Sequence, residues 1–137
     1  MKKLLALALA VLMLLSLTAC QTTQTNEQTD GEADGKYVVG ICQLVPHDAL
    51  DAATKGFTDA LTEALGEDKV TFLTEMGGGD TATCSPIVSD FVAKEVDLIM
   101  ANATPALQAA QAATDTIPIL GTSVTEYGVA LDLQDFS

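Results

Sequence analysis

Between residues 37 and 120, short apolar runs alternate with longer segments of helical period, and this alternation limits the possible fold more than any other feature of the chain. The strand-like segments cover residues 37–44, 69–74, 97–101 and 117–120, and in the second of them Val70 and Phe72 lie on one face. The segments between them, residues 47–65, 81–95 and 105–114, place apolar side chains at the spacing of an amphipathic helix. Alternating strands and helices with short connections favour right-handed crossovers and a parallel sheet covered on both faces. We therefore predict a doubly wound α/β fold with the flavodoxin-like strand order 2-1-3-4.

Local signals support these boundaries. Gly66 is well placed to end the first helix, and Asp80 or Thr81 is a plausible N-cap of the second helix after a triple-glycine turn. Pro118 lacks a backbone N–H, so the fourth strand is expected at an outer position of the sheet. Residues from Val124 onward fit neither pattern well.

The N-terminus has the organisation of an export signal. Lys2 and Lys3 precede an apolar stretch over residues 4–15, which is shorter than the roughly 20 residues that a membrane-spanning helix needs. The stretch ends in Leu-Thr-Ala-Cys at Cys20, which resembles the lipobox of bacterial lipoproteins. We predict that residues 1–19 are a signal peptide and that Cys20 is diacylated.

A polar segment follows the lipobox. Residues 21–35 contain a single apolar side chain, Ala33. Such a stretch cannot bury enough surface to offset the entropy lost on ordering. Residues 20–35 are therefore predicted to be a lipidated, disordered linker.

The charge balance excludes several classes of partner. The chain has 19 acidic residues against six lysines and no arginine, and its net charge is −13 at pH 7. A nucleic-acid-binding protein needs a basic surface to neutralise phosphates, and attraction to anionic lipids needs one as well. Tryptophan is absent and only six aromatic residues occur, so the chain lacks a platform for stacking sugars or bases.

The sequence also argues against an enzyme, a cofactor and a metal site. It has one histidine and no Gly-x-Ser-x-Gly nucleophile motif. The glycine turn before Asp80 lacks the Lys-Ser/Thr of a phosphate-binding loop. A flavodoxin-like electron carrier would need a Ser/Thr-rich loop after the first strand, where Leu-Val-Pro-His-Asp stands instead. No Cys-x-x-Cys pair or His/Cys cluster suggests metal binding.

The predicted topology selects three loops as a candidate ligand site. In the order 2-1-3-4, a crevice opens at the carboxyl ends of the first and third strands. The loops at this edge contain Gln43, Val45, His47, Asp48, Asn102, Ala103, Thr104, Ser123 and Thr125. Hydroxyl groups, amides and helix N-termini suit a small anionic or zwitterionic ligand. Asp48 and Thr104 could instead serve only as helix caps, and the pattern leaves both alternatives open.

Three segments carry a resemblance to a known family. The segment 39–57 has the pattern V-G-I-x-Q-x-x-x-H-x-A-L-D-x-x-x-x-G-F, residues 97–106 read Asp-Leu-Ile-Met-Ala-Asn-Ala-Thr-Pro-Ala, and residues 117–125 give a fourth strand and its exit. Together they resemble ABC-transporter substrate-binding lipoproteins of the tryptophan/tyrosine-uptake type. The resemblance implies a type I periplasmic-binding-protein fold, in which two α/β lobes clamp the ligand.

The resemblance covers residues 37 to about 131, whereas the family's chains are much longer. It implies that residues 36–125 form the N-terminal lobe and that residues 126–137 begin a crossover to a missing second lobe. The implied function is an extracytoplasmic, lipid-anchored solute-binding component of an ABC importer. Its ligand would be an amino acid of aromatic type or a similar small solute, and its partner an ABC permease. The alternative is a solute-sensing lipoprotein that serves a receptor or kinase.

The resemblance also implies roles for the residues of the three loops. The implied ligand-binding residues are Gln43, His47, Asn102, Ala103, Thr104, Ser123 and Thr125. The carboxylate of an amino acid would bind at Thr104 and Ser123, and its ammonium group would need Asp48 or the missing lobe. His47 could contact the ligand, bind a metal, or be a solvated or capping residue.

Two further cysteines follow Cys20. Cys42 and Cys84 lie near neighbouring strands and could come close enough for a disulfide. We expect free buried thiols, because strand alternation can turn Cys42 away.

Overall fold

The computed structural model describes residues 35–133, so the predicted signal peptide, Cys20, nearly all of the linker and residues 134–137 lie outside the described residues. Strands and helices alternate along the described chain: β1 (Tyr37–Gln43), α1 (Asp48–Leu65), β2 (Val70–Met76), α2 (Thr81–Ala93), β3 (Leu98–Asn102), α3 (Thr104–Ala113), β4 (Ile119–Thr122) and α4 (Tyr127–Ala130). Within this part of the chain, no helix is long and apolar enough to cross a membrane.

All four strands are parallel, and their order in the sheet is β2-β1-β3-β4. The predicted fold class and strand order are thereby confirmed. The register places Gln43 beside both Met76 and Asn102, and Asn102 beside Thr122. The carboxyl ends of the strands therefore lie in one row, which is the edge where the candidate site was expected.

Apolar side chains cover both faces of the sheet. One face packs against α2 and α3, whose buried side chains include Val88, Phe91, Ala106 and Leu107. The other face, with Val39, Ile41 and Met100, packs against Phe57 of α1. The two-sided covering explains why the central strands β1 and β3 are mostly apolar.

The helix ends follow the local signals in the sequence. Gly66 has φ 98° and ends α1, and its N–H donates to the Thr62 carbonyl at 2.9 Å. Asp80 is the N-cap of α2, where its carboxylate accepts the Thr83 N–H at 2.9 Å. Of the two N-cap candidates, the structure selects Asp80.

The boundaries of the outer strands differ from the prediction. β2 continues to Met76, and β4 begins at Ile119 rather than at residue 117. Pro118 has no N–H and contributes only its carbonyl, which accepts the Ile99 N–H at 3.0 Å before the regular pairing begins. β4 lies at the edge of the sheet, as Pro118 suggested.

The short helix α4 was not predicted. Its four residues are too few to show a helical period. The Glu126 carboxylate caps it by accepting the N–H groups of Gly128 and Val129 at 2.7 and 2.6 Å. The Tyr127 hydroxyl donates to the Gly121 carbonyl at 2.8 Å, so that α4 is fastened to the end of β4.

Candidate functional site

Backbone hydrogen bonds hold the predicted loops together at the carboxyl edge of the sheet. The Leu44 N–H donates to the Asn102 carbonyl at 3.2 Å, and the Ala103 N–H donates to the Thr122 carbonyl at 2.9 Å. The chain segments that leave β1, β3 and β4 therefore start side by side. Open α/β sheets bind ligands at this edge, where neighbouring chain paths diverge.

The N-terminus of α3 is the most distinctive feature of this edge. Ala103 has φ 100° and ψ 159°, a backbone conformation that only glycine adopts readily. No side chain caps the helix, and Pro105 lies in its first turn. The first N–H groups of a helix have no intrahelical partner and carry the positive end of its dipole. Such a terminus is suited to a carboxylate or another small anion.

The exit of β4 places hydroxyl groups beside this helix terminus. The Thr122 carbonyl accepts the Ala103 N–H. Ser123 directly follows Thr122 and has φ 56°. Ser123 and Thr125 are exposed, and Thr104 is half-buried. The structure thus brings the predicted residues of the second and third loops to the same stretch of the edge.

His47 serves as the N-cap of α1. Its Nδ1 accepts the Ala49 N–H at 3.2 Å, and the residue is exposed. Of the roles considered for His47, which were ligand contact, metal binding, and solvation or capping, the structure shows helix capping. Asp48 and Asp51 lie in the first turn of the same helix, where a negative charge interacts favourably with the helix dipole.

Gln43 and Asn102 occupy a different environment from the other predicted site residues. Both side chains are fully buried, and they belong to the sheet face covered by α1. The Thr54 hydroxyl of α1 donates to Gln43 Oε1 at 2.7 Å and accepts from Asn102 Nδ2 at 3.0 Å. Gln43 and Asn102, which the sequence predicted as ligand-binding residues, therefore hydrogen-bond to α1 beneath the crevice edge.

The network extends from these two amides to the loop after β1 and to the first turn of α1. Gln43 Nε2 donates to the Val45 carbonyl at 2.9 Å and to Asp51 Oδ1 at 2.5 Å, and Asn102 Nδ2 donates to the Leu50 carbonyl at 2.8 Å. Asn102 Oδ1 is a buried side-chain oxygen for which the described residues provide no hydrogen-bond partner.

Sequence reasoning missed Thr54 and Asp51. A signal for them existed, because Gln43 and Asn102 end two buried apolar runs and buried amides require partners. Thr54 lies on the same face of α1 as Leu50 and Phe57, and the exposed Asp51 lies about one turn before Thr54. A polar residue on the apolar face of this helix is an expected partner of amides at the strand ends.

The two remaining cysteines are free and buried in the same apolar cluster. Burial, together with the neighbouring Cys84 thiol, raises the pKa of Cys42 to about 12. Burial also raises the pKa of Cys84. The expectation of free thiols is confirmed, but its reason was wrong, since Cys42 faces Cys84 rather than turning away. Protonated, buried thiols are poor nucleophiles.

An apolar groove lies apart from the crevice edge. Its volume is about 380 Å³, and it is lined by Tyr37, Val39, Leu61, Leu65, Asp97 and Leu98. It lies at the amino ends of the strands, opposite the candidate site.

Among the described residues, no group of three or more His, Cys, Asp and Glu side chains is arranged to hold a metal ion.

Comparison with known proteins decides the family. A sequence model of the ABC transporter substrate-binding protein family matches residues 38–135, which is more than half of the chain. The chain belongs to this family. It is similar to the tyrosine-binding protein of Clostridioides difficile strain R20291, with 39% identity over 134 residues that cover 91% of this chain and 38% of that protein.

Solved structures agree with this assignment. The chain resembles a ligand-free, open structure of a substrate-binding protein with adhesive properties from Clostridium difficile, with 38% identity and a TM-score of 0.68 over 72% of this chain and 34% of that one. It also resembles an ABC domain from Streptococcus pneumoniae in complex with L-Trp, with 30% identity and a TM-score of 0.66 over 70% and 33% of the two chains. The chain spans less than two-fifths of the length of these relatives.

Proposed function

We propose that this chain forms one wall of an amino-acid-binding crevice in the extracytoplasmic solute-binding component of an ABC importer. The observation that carries the proposal is the strained Ala103 before the uncapped N-terminus of α3, at the point where the chain paths from β1 and β3 diverge. Relatives named for tyrosine binding, or solved with L-Trp, favour an aromatic amino acid as the solute.

The groups at the edge match the two charges of an amino acid. The ligand carboxylate accepts hydrogen bonds from the backbone N–H and hydroxyl of Thr104 and from the Ser123 hydroxyl. The ammonium group pairs with Asp48 or with an acceptor on the opposing lobe. His47, Ala103 and Thr125 line the same edge, whereas Gln43 and Asn102 act through the backbone that they support.

This wall alone supplies little binding free energy. Micromolar affinity needs about −8 kcal/mol. A hydrogen bond contributes about 0.5–1.5 kcal/mol net, and immobilising the ligand opposes binding. A few hydrogen bonds from Thr104 and Ser123 therefore give millimolar binding or weaker without an opposing wall.

The anchoring and the partner complete the proposal. Diacylated Cys20 holds the protein at the outer surface of the cell membrane, and an ABC permease receives the solute. The net charge of −13 is consistent with attachment through a lipid rather than through lipid headgroup charge.

Calorimetry tests the proposal. The chain is titrated with tryptophan, tyrosine and phenylalanine, and then again after a second lobe from a relative is joined behind residue 125. We expect millimolar or undetectable binding first and micromolar binding with both lobes. Thr104→Val in the two-lobed protein should weaken binding about tenfold. Thr116→Val serves as the control, because Thr116 lies on the loop before β4, at the opposite end of the sheet. Micromolar binding by the chain alone would contradict the need for a second wall.

A further inference from the structure

The Thr54 hydroxyl connects the two strands between which the crevice opens. It donates to Gln43 Oε1 at 2.7 Å and accepts from Asn102 Nδ2 at 3.0 Å. Gln43 is the last residue of β1, and Asn102 is the last residue of β3. A single side chain of α1 therefore bridges the ends of the two central strands.

The bridge is directional and joins the buried amides of Gln43 and Asn102 through the half-buried Thr54. Asn102 donates to Thr54, Thr54 donates to Gln43, and Gln43 donates to the Asp51 carboxylate and the Val45 carbonyl. Hydrogen bonds in a low-dielectric interior strengthen one another in such chains. Removing the Thr54 hydroxyl leaves the buried Gln43 Oε1 without its partner, whereas Asn102 Nδ2 keeps its bond to the Leu50 carbonyl. Leaving a buried acceptor unpaired costs more than the bond itself contributes.

The two residues that the bridge holds lead directly into the proposed site. Gln43 precedes the loop that ends at the His47 cap, and Asn102 precedes Ala103. A strained residue such as Ala103 keeps its conformation only where its surroundings hold it firmly. The fixed Asn102 side chain provides such a support on one side of Ala103.

We propose that Thr54 is a positioning residue for the ligand crevice. Its hydroxyl holds the ends of β1 and β3 in the arrangement that presents the N-terminus of α3, and Thr54 itself does not touch the ligand. The link to binding rests on the proposed function, whereas the link to backbone geometry does not.

Hydrogen exchange measured by NMR tests the backbone part of this proposal. Thr54→Val removes the hydroxyl at nearly constant shape, and Thr54→Ser keeps it. Thr58→Val is the matched control, because the Thr58 hydroxyl donates to the Lys55 carbonyl within α1. All variants are compared with the unmodified chain.

In Thr54→Val we expect the Leu44 and Ala103 amides to exchange about tenfold faster, which corresponds to about 1.4 kcal/mol of local opening. The Tyr37 amide, bonded to the Lys69 carbonyl at the other end of the sheet, should not change. Thr54→Ser should restore slow exchange, and Thr58→Val should leave all three amides unchanged. An equal acceleration at Tyr37 would indicate general destabilisation and would overturn the proposal.

Ligand titration tests the link to binding. L-tryptophan is added to each variant in the two-lobed protein well below its melting temperature, and chemical shifts at Thr104 report the dissociation constant. We expect Thr54→Val to bind at least fivefold more weakly than the unmodified two-lobed protein, Thr54→Ser or Thr58→Val. Equal affinities would overturn the proposal. If the unmodified two-lobed protein shows no binding, the proposed function fails, and the exchange pattern alone decides whether Thr54 positions the backbone.

Discussion

Replacing Gly40 with alanine tests how closely β1 and α2 fit. An added Cβ would lie 2.6 Å from Cδ2 and 2.7 Å from Cγ of Phe91. Carbon atoms in contact are normally about 3.5–4.0 Å apart, so the ring or the strand must move by about 1 Å. Phe91 is fully buried, and Cγ lies too close to its backbone for a ring rotation to relieve the overlap.

The expected cost follows from this geometry. Inserting a methyl group into a well-packed core costs about 1–3 kcal/mol. In a domain of this size, each kcal/mol lowers the melting temperature by about 4–8 °C. Thermal unfolding followed by circular dichroism should therefore show Gly40→Ala melting roughly 4–24 °C below the unmodified chain.

Gly56 provides a matched control for the same substitution. It lies in α1, where an added Cβ would have no neighbour within 4 Å. Gly56→Ala should therefore raise stability by about 0.5–1 kcal/mol through helix propensity. The Phe91→Leu substitution should lower the free energy of unfolding by less in the Gly40→Ala background than in the unmodified chain. If Gly40→Ala melted at or above the unmodified chain, the argument that the Phe91 ring is held rigidly would be wrong.

Three further predictions concern the anchor, the charge and the thiols. Cys20→Ala should leave an uncleaved or shed protein, as membrane fractionation and mass spectrometry will show. Because the net charge is −13, screening should weaken self-repulsion, and calorimetry should find a higher melting temperature at physiological than at low ionic strength. The pKa of Cys42 is raised to about 12 in the folded protein, whereas an unfolded thiol titrates near 9. The unfolded state therefore loses its proton first, so urea midpoints should fall more steeply between about pH 9 and 12 in the unmodified chain than in Cys42→Ala.

The sequence predicts the central strands of the sheet better than the edge strands, because the central strands are mostly apolar and buried. The apolar run that ends at Ala101 permits only a covered position, and the short connections then determine the strand order. β4 is harder to delimit, since an edge strand pairs on one side only and Pro118 removes a donor. The helix α4 depends on the Glu126 cap and on the contact between Tyr127 and Gly121, neither of which has a periodic signal.

For the candidate site, topology predicts the location, whereas side-chain direction decides the roles. Strand alternation puts Gln43 on the same face as Val39 and Ile41, where α1 covers it. Assigning residues to a site by their loops alone ignores the alternation at the last strand position. The role of His47 depended on the backbone angles of a single residue, which no sequence pattern specifies.

The polar groups at the crevice edge divide into two sets with different consequences for recognition. The buried amides of Gln43 and Asn102 already donate to the protein, so ligand binding does not have to reorganise them. In the proposed function, the groups that remain for the ligand carboxylate are the N–H groups of α3 and the hydroxyls of Thr104 and Ser123. Every amino acid carries a carboxylate, and under this proposal these groups contact no part of its side chain. This wall should therefore contribute similar binding free energy for each amino acid, and the choice among side chains should depend on the surface that faces it.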